Sequence, residues 1–233
     1  MRADDTLLSL MRSVDTPTIC NALELVAGRR LGEGFTRKPM IAADPLLPPI
    51  VGYARTATIA CSSMPREPAD VLNSRRLAYY EYVAAQPGPA VVVIEDEDEQ
   101  CGIGAFWGEV QVSIHRGLGV VGGITNGSIR DLGAMDKDFQ LLAGSVMPSH
   151  AHVHLTAIDV TVHVLGMRVK PGDLVHGDRH GAVVVPPDMA QGLAHAIDLV
   201  ARRERPVIDA AHRPGFNVEA LRRAWTEMEK IVS

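Results

Sequence analysis

Between Gly104 and Thr125 two periodicities follow one another without a break. GAFWGEVQVSIHRG has helical spacing, with Ala105, Val110 and Ile114 able to share one face, and GVVGGIT is a β-branched strand pattern. That order decides how the G-x-G-x-x-G spacing of GLGVVG (117–122) is read. A dinucleotide loop needs its first glycine directly after a strand and its last at the start of a helix. Here a helical pattern precedes Gly117, the strand follows it, and Gly123-Ile124-Thr125-Asn126-Gly127 cannot form the first turns of a packed helix. The spacing does not mark a nucleotide site.

The rest of the chain alternates in the same way. Thr16-Pro17 is a helix-start signal for ICNALELVA, which stops at Gly28. VGYARTATIAC reads as a strand, Asp70 opens a helix through VLNSRRLAYYEYVAA, and AVVVIED is a buried strand. Asp131 is placed to cap a short helix through Leu132, Met135 and Phe139. Residues 145 to 185 read as β, Asp188 caps a helix to about Arg203, and Asn217 caps an amphipathic helix over about 217–232. Its stripe (Val218, Leu221, Trp225, Met228 and Val232) suits a core or a subunit interface. Helices and strands are not segregated along the chain, so one mixed α/β domain over 1–233 is expected.

Composition narrows the function. With a net charge of −5, 4% aromatics and basic residues no more clustered than pairs, neither nucleic acid nor an anionic membrane is an expected partner. Three scattered cysteines, Cys20, Cys61 and Cys101, form neither a metal finger nor a disulfide framework. No signal-peptide pattern or membrane span is visible, and a cytoplasmic protein is expected.

Arg130-Asp131, after the Asn126-Gly127 turn, is the pair with chemical content. A guanidinium gives a carboxylate a two-pronged donor, and a carboxylate suits a hard divalent ion that keeps most of its waters. Together they could clamp a small oxo-acid; equally, Asp131 could cap a helix while Arg130 forms a surface pair. His150, His152 and His154 alternate along an expected strand and would face one side, with His176 and His180 at a nearby turn. They suit a metal site, a cleft wall or a solvated face. The acidic run 95–99 reads as a solvated loop or as carboxylates near a metal.

FWGEV, NGSIRDL, VDTPTICNALE, VGYARTATIA and RVKPGDLVHGDRHGAVVVP together resemble the RraA-like family over about residues 14 to 200. That family includes class II 4-hydroxy-4-methyl-2-oxoglutarate/4-carboxy-4-hydroxy-2-oxoadipate aldolases and regulators of ribonuclease E activity. The resemblance implies a swivelling β/β/α sandwich (phosphohistidine-domain-like) that assembles as a homotrimer or hexamer. It implies a lyase releasing pyruvate from a 4-hydroxy-2-oxo dicarboxylic acid by retro-aldol cleavage, or from oxaloacetate by decarboxylation. Carried over by position, Gly108, Glu109, Val110 and Gln111 would bind the substrate carboxylate, Arg130 would hold the pyruvoyl end, and Asp131 would anchor Mg2+, with Mn2+ as an alternative. Asn126, His150, His152 and His176 are further cleft candidates. The lysines (Lys38, Lys137, Lys170, Lys230) lie in no apolar strand, which favours metal over imine chemistry. Two other readings stand beside this one: a non-enzymatic regulator, and a lyase or dehydratase acting on a sugar acid, to which the histidines would be suited.

Overall fold

The structure, a computed structural model, describes residues 3–85 and 88–232. Helices Asp5–Arg12 (α1) and Thr16–Ala27 (α2) come first, then strands Ile41–Ala42 (β1) and Ile50–Ala60 (β2). Ala69–Ala84 (α3), Ala90–Asp96 (β3), Ala105–Trp107 (β4), Glu109–Gly117 (α4) and Val120–Thr125 (β5) follow. Next are Ser128–Ile129 (β6), Gln140–Ala143 (β7), Ser145–Val146 (β8) and His154–Ile158 (β9). Val162–Val164 (β10) and Met167–Val169 (β11) form a hairpin, and Leu174–Asp178 (β12) and Gly181–Val185 (β13) a second. Ala190–Ala211 (α5) and Val218–Lys230 (α6) come last.

β2 organises the main sheet, whose order is β1-β7-β5-β3-β2-β12-β13. One edge of β2 pairs in parallel with β3; the other is shared, antiparallel, by β12 at Ile50–Tyr53 and β9 at Ala57–Ala60. Both faces are covered, which is why β3 is an unbroken apolar run rather than an alternating one. Val92 and Ile94 pack with Tyr79 and Trp107, while Val91 and Val93 pack under Val162, Val164 and Met167 of the β10–β11 hairpin. A third core lies where α1, α2 and α5 cover β12 and β13.

The glycines of 117–123 serve geometry. Gly119 turns the chain out of α4 at φ +83°, a left-handed conformation. A Cβ on Gly122 would stand 2.6 Å from Ile50 Cγ2, and one on Gly123 would stand 2.7 Å from Trp107 Cζ2.

Several local expectations shift. Asp15, not Thr16, caps α2, its carboxylate accepting the Thr18 N–H at 2.9 Å; Gly28 ends the helix in the left-handed conformation as expected. Ala105 belongs to a strand, and α4 buries Val112 and His115 while Val110 stays exposed. α5 runs past Arg203 to Ala211 with Pro206 inside it, and α6 buries Ala224, leaving Trp225 half-exposed.

Gly123→Ala is expected to cost about 1–3 kcal/mol, because the buried Trp107 and Leu141 leave a methyl no room. Gly117→Ala, with nothing within 4 Å of its Cβ position, should be neutral or slightly stabilising. Urea unfolding of the two variants measures the contrast; equal stabilities would contradict the packing.

Candidate active site

A small parallel sheet, β4-β6-β8, places the candidate residues. Trp107 of β4 is in register with Ile129 of β6, and the Arg130 N–H donates to the Trp107 carbonyl at 3.0 Å. Because the strands are parallel, both chains leave the sheet at the same end. One leads through Gly108 into α4; the other becomes Arg130-Asp131. A Cβ on Gly108 would lie 2.5 Å from Asp131 Oδ2 and 3.2 Å from Arg130 Cγ, so a side chain here would displace the carboxylate from this position.

Asp131 does not start a helix of its own, and residues 131–139 form turns. It sits at φ +60°, a conformation that aspartate tolerates better than most residues. Its carboxylate turns back onto α4: Oδ2 accepts the Glu109 N–H at 3.1 Å and lies 3.6 Å from Arg130 Nε. The expected cap on a helix following Asp131 is therefore not formed; the carboxylate instead meets the first N–H of α4. The first bond of the α4 ladder runs from the Val112 N–H to the Gly108 carbonyl, so the N–H groups of Val110 and Gln111 precede the ladder. Such a helix end favours an anion.

These groups open onto one cleft of about 550 Å³, lined by Gly108, Val110, Gln111, Arg130 and Asp131. Arg76 and Tyr80 of α3 form a second wall; the Tyr80 hydroxyl donates to Gln111 Oε1 at 3.0 Å. His150, His152 and His154 form a third. Only His154 is in a strand; His150 and His152 lie on the loop between β8 and β9, so strand alternation is not what brings the three together. Backbone bonds hold that loop: the Ala105 N–H to the Ser149 carbonyl at 2.9 Å and the His152 N–H to the Cys61 carbonyl at 3.2 Å. Among the described residues the three imidazoles do not converge into a ligand set for one ion.

Two candidates lie elsewhere. His176 is fully buried beneath α1 and α2, its Nε2–H directed at the Met11 carbonyl (2.9 Å) and its Nδ1 accepting from the Thr16 hydroxyl (3.0 Å). Burial lowers its pKa, and both ring nitrogens are consumed by core packing. Asn126 has its side-chain amide paired to the backbone of Asp96, Oδ1 accepting its N–H at 2.7 Å and Nδ2 donating to its carbonyl at 2.9 Å. It extends the β3–β5 pairing by one side chain and does not line the cleft.

The acidic run is not a solvated loop throughout. Asp96 Oδ2 accepts the Gly102 N–H at 2.7 Å, and Asp98 Oδ2 accepts the N–H groups of Cys61 and Ser62 at 2.7 and 2.8 Å. With Cys61 these carboxylates have donor atoms within 4.8 Å of one another, close enough for a cation. These oxygens already accept backbone N–H groups and, at Asp98 Oδ1, the Ser62 hydroxyl. Burial, helped by Asp96 and Asp98, pushes the Cys61 thiol up to about 12. A larger groove of about 820 Å³ between α5 and α6 lies away from the Arg130–Asp131 pair.

Composition and spacing gave no sign of the group behind α4. His115 is fully buried, its ring 4.6 Å from that of Trp107. Its Nδ1–H donates to the Gln111 carbonyl at 2.7 Å and its Nε2 accepts from the Tyr79 hydroxyl at 2.6 Å. A histidine four residues after Gln111 on a helix was the available signal.

The model of the RraA-like family, described as Aldolase/RraA, matches residues 16–184, and this chain belongs to that family. A curated protein of Halalkalibacterium halodurans, named provisionally as a 4-hydroxy-4-methyl-2-oxoglutarate aldolase, is 27% identical over 234 residues, spanning 99% of this chain and 98% of that one. Among solved structures, Streptomyces coelicolor RraAS2, titled an unusual member of the RNase ES inhibitor RraA protein family, matches with a TM-score of 0.66. Its identity is 28%, over 91% of this chain and 99% of that one. An uncharacterized protein from Pseudomonas syringae pv. tomato matches at 0.70 and 23% identity, over 96% and 95%, and shares the fold. The mixed α/β architecture is thus that of the RraA proteins.

Burial lowers the pKa of His115 from 6.5 to about 4, against a smaller opposing effect of its bond to Gln111. The unfolded chain therefore takes this proton first as pH falls, and the stability of the neutral, buried form is complete only above about 6.5. Unfolding free energy is expected to drop by a few kcal/mol between pH 6.5 and 4 from this residue, on the order of 1.4 kcal/mol per pH unit. Denaturant titrations across that window should show a shallower slope for His115→Asn; an identical slope would contradict neutral burial.

Proposed function

We propose that this chain is a divalent-metal-dependent lyase. It releases pyruvate by retro-aldol cleavage of a 4-hydroxy-2-oxo dicarboxylic acid, by decarboxylation of oxaloacetate, or by both. The observation that carries this reading is the convergence of Arg130, Asp131 and the first N–H groups of α4 on one open cleft. The provisional aldolase name of the full-length relative supports it.

The donor set fits a hard ion. Asp131 is the one carboxylate among the described residues lining the cleft; its Oδ2 is turned to Glu109 and Arg130, which leaves Oδ1 for a ligand. Mg2+ keeps several waters and needs few protein ligands. When bound there, a divalent ion supplies Lewis-acid polarisation of the 2-oxo group. The Arg130 guanidinium takes the adjacent carboxylate with paired donors, and the Val110 and Gln111 N–H groups add preorganised dipoles. The C4 hydroxyl proton leaves toward the wall that carries His150, His152 and His154. The C3–C4 bond then breaks, and its electron pair delocalises onto the C2 oxygen beside the cationic clamp. No lysine among the described residues lines the cleft to form an imine. In this reading the protein works in the cytoplasm as a homo-oligomer, a trimer or hexamer.

The second reading, a binding protein without turnover, is favoured by the match to the ribonuclease inhibitor relative along nearly its whole length. Purified protein given oxaloacetate or 4-hydroxy-4-methyl-2-oxoglutarate with Mg2+ separates the two. Coupled lactate dehydrogenase assay should show pyruvate release that a chelator abolishes. Arg130→Ala should lower kcat/KM by about 100-fold or more, and Asp131→Ala should abolish the metal-dependent release. Absence of pyruvate across both substrates would favour the binding protein.

A further inference from the structure

The helical segment VLNSRRLAYYEYVA carries two adjacent arginines with different fates. Arg75 is used in holding the fold: its guanidinium donates to the Leu155 carbonyl at 2.8 Å and pairs with Glu67 at 3.0 Å. Arg76 is exposed, lines the cleft one helical turn before Tyr80, and among the described residues has no ion pair. Tyr80 is tied to Gln111, so the wall that carries Arg76 is fastened to the start of α4. The same cleft is lined by Arg130, which lies 3.6 Å from Asp131.

Charge complementarity follows from this lining. The chain carries a net charge of −5, yet its cleft holds two guanidiniums and one carboxylate. Arg130, Asp131 and a bound cation accommodate one 2-oxo-carboxylate. A second guanidinium lining the same 550 Å³ space, with no ion pair among the described residues, remains over and suits a second anionic group on the ligand.

We infer that Arg76 is a specificity-determining residue that binds the distal carboxylate of a dicarboxylic 2-oxo acid. This rests on the oxo-acid reading of the site. It also deepens it, since Arg130 and the α4 end recognise the shared 2-oxo-carboxylate and Arg76 selects for the second charge.

Calorimetric titration of pyruvate and of 2-oxoglutarate in Mg2+ tests this without turnover. Arg76→Gln is expected to weaken 2-oxoglutarate about 10- to 100-fold while leaving pyruvate within about 2-fold. Arg76→Lys should recover part of the loss. Circular dichroism should be unchanged, because Arg76 is exposed on a helix and glutamine is a comparable helix former. Equal weakening of both ligands, or of neither, would overturn the assignment to Arg76 while leaving the oxo-acid reading in place. Wild-type protein that binds neither acid in Mg2+ would overturn both.

Discussion

The pairing of Trp107 with Ile129 across two short parallel strands fixes the Arg130–Asp131 clamp against the start of α4. It makes the start of α4 and the Arg130-Asp131 dipeptide leave one sheet edge side by side. A slip of one residue would break the Arg130 N–H bond to the Trp107 carbonyl and move the dipeptide away from the start of α4. Gly108 allows the close approach; a Cβ there would push the Asp131 carboxylate from its place. Asp131 itself holds a left-handed conformation that costs on the order of 1 kcal/mol or more. Its bond to the Glu109 N–H and its proximity to Arg130 offset that cost.

Two buried assemblies keep this edge rigid. Behind α4, Tyr79, His115 and Trp107 form an aromatic cluster in which a neutral imidazole, anchored to its own helix at Nδ1, ties α4 to α3 through the Tyr79 hydroxyl at Nε2. At the C-terminal end of β3, Asp96 and Asp98 collect backbone N–H groups from Cys61, Ser62 and Gly102, while Asn126 joins β3 to β5. The same knot positions the histidine loop, through the Cys61 carbonyl that receives the His152 N–H. Carboxylates spent in this way are structural donor sinks, which leaves Asp131 as the acid facing the cleft.

Much of this was legible from residue types. β-branched runs and helix-stop glycines located the strands of the sheet and the end of α2, and the order of patterns around Gly117 ruled out a dinucleotide loop. Arg130-Asp131 and the residues after Trp107 stood out through motif resemblance and local chemistry. What failed were inferences from spacing alone. His150 and His152 share a cleft with His154 through a loop held by long-range backbone bonds. His176 was indistinguishable in sequence from a cleft histidine, yet tertiary packing of α1 and α2 buries it. Arg76 and Tyr80 were hidden because helix α3 carries polar residues around its whole surface, and only its docking shows which side meets α4.

The clamp also bears on the choice between a lyase and a binding protein. Recognition of an anion needs Arg130 and the open N–H groups of α4, and a carboxylate next to them opposes it. If position 131 served only to cap α4, an asparagine would meet its demands: it tolerates the left-handed conformation and accepts the Glu109 N–H without a charge. A carboxylate oxygen of Asp131 3.6 Å from Arg130 Nε therefore weakens a site meant for anions alone. In the proposed reading a divalent cation would reverse that balance, since Asp131 would hold it and it would in turn attract the carboxylate and the 2-oxo group of the ligand. The paired charges at 130 and 131 thus make electrostatic sense as half of a cation-bridged site, and that is the physical case for chemistry over simple binding.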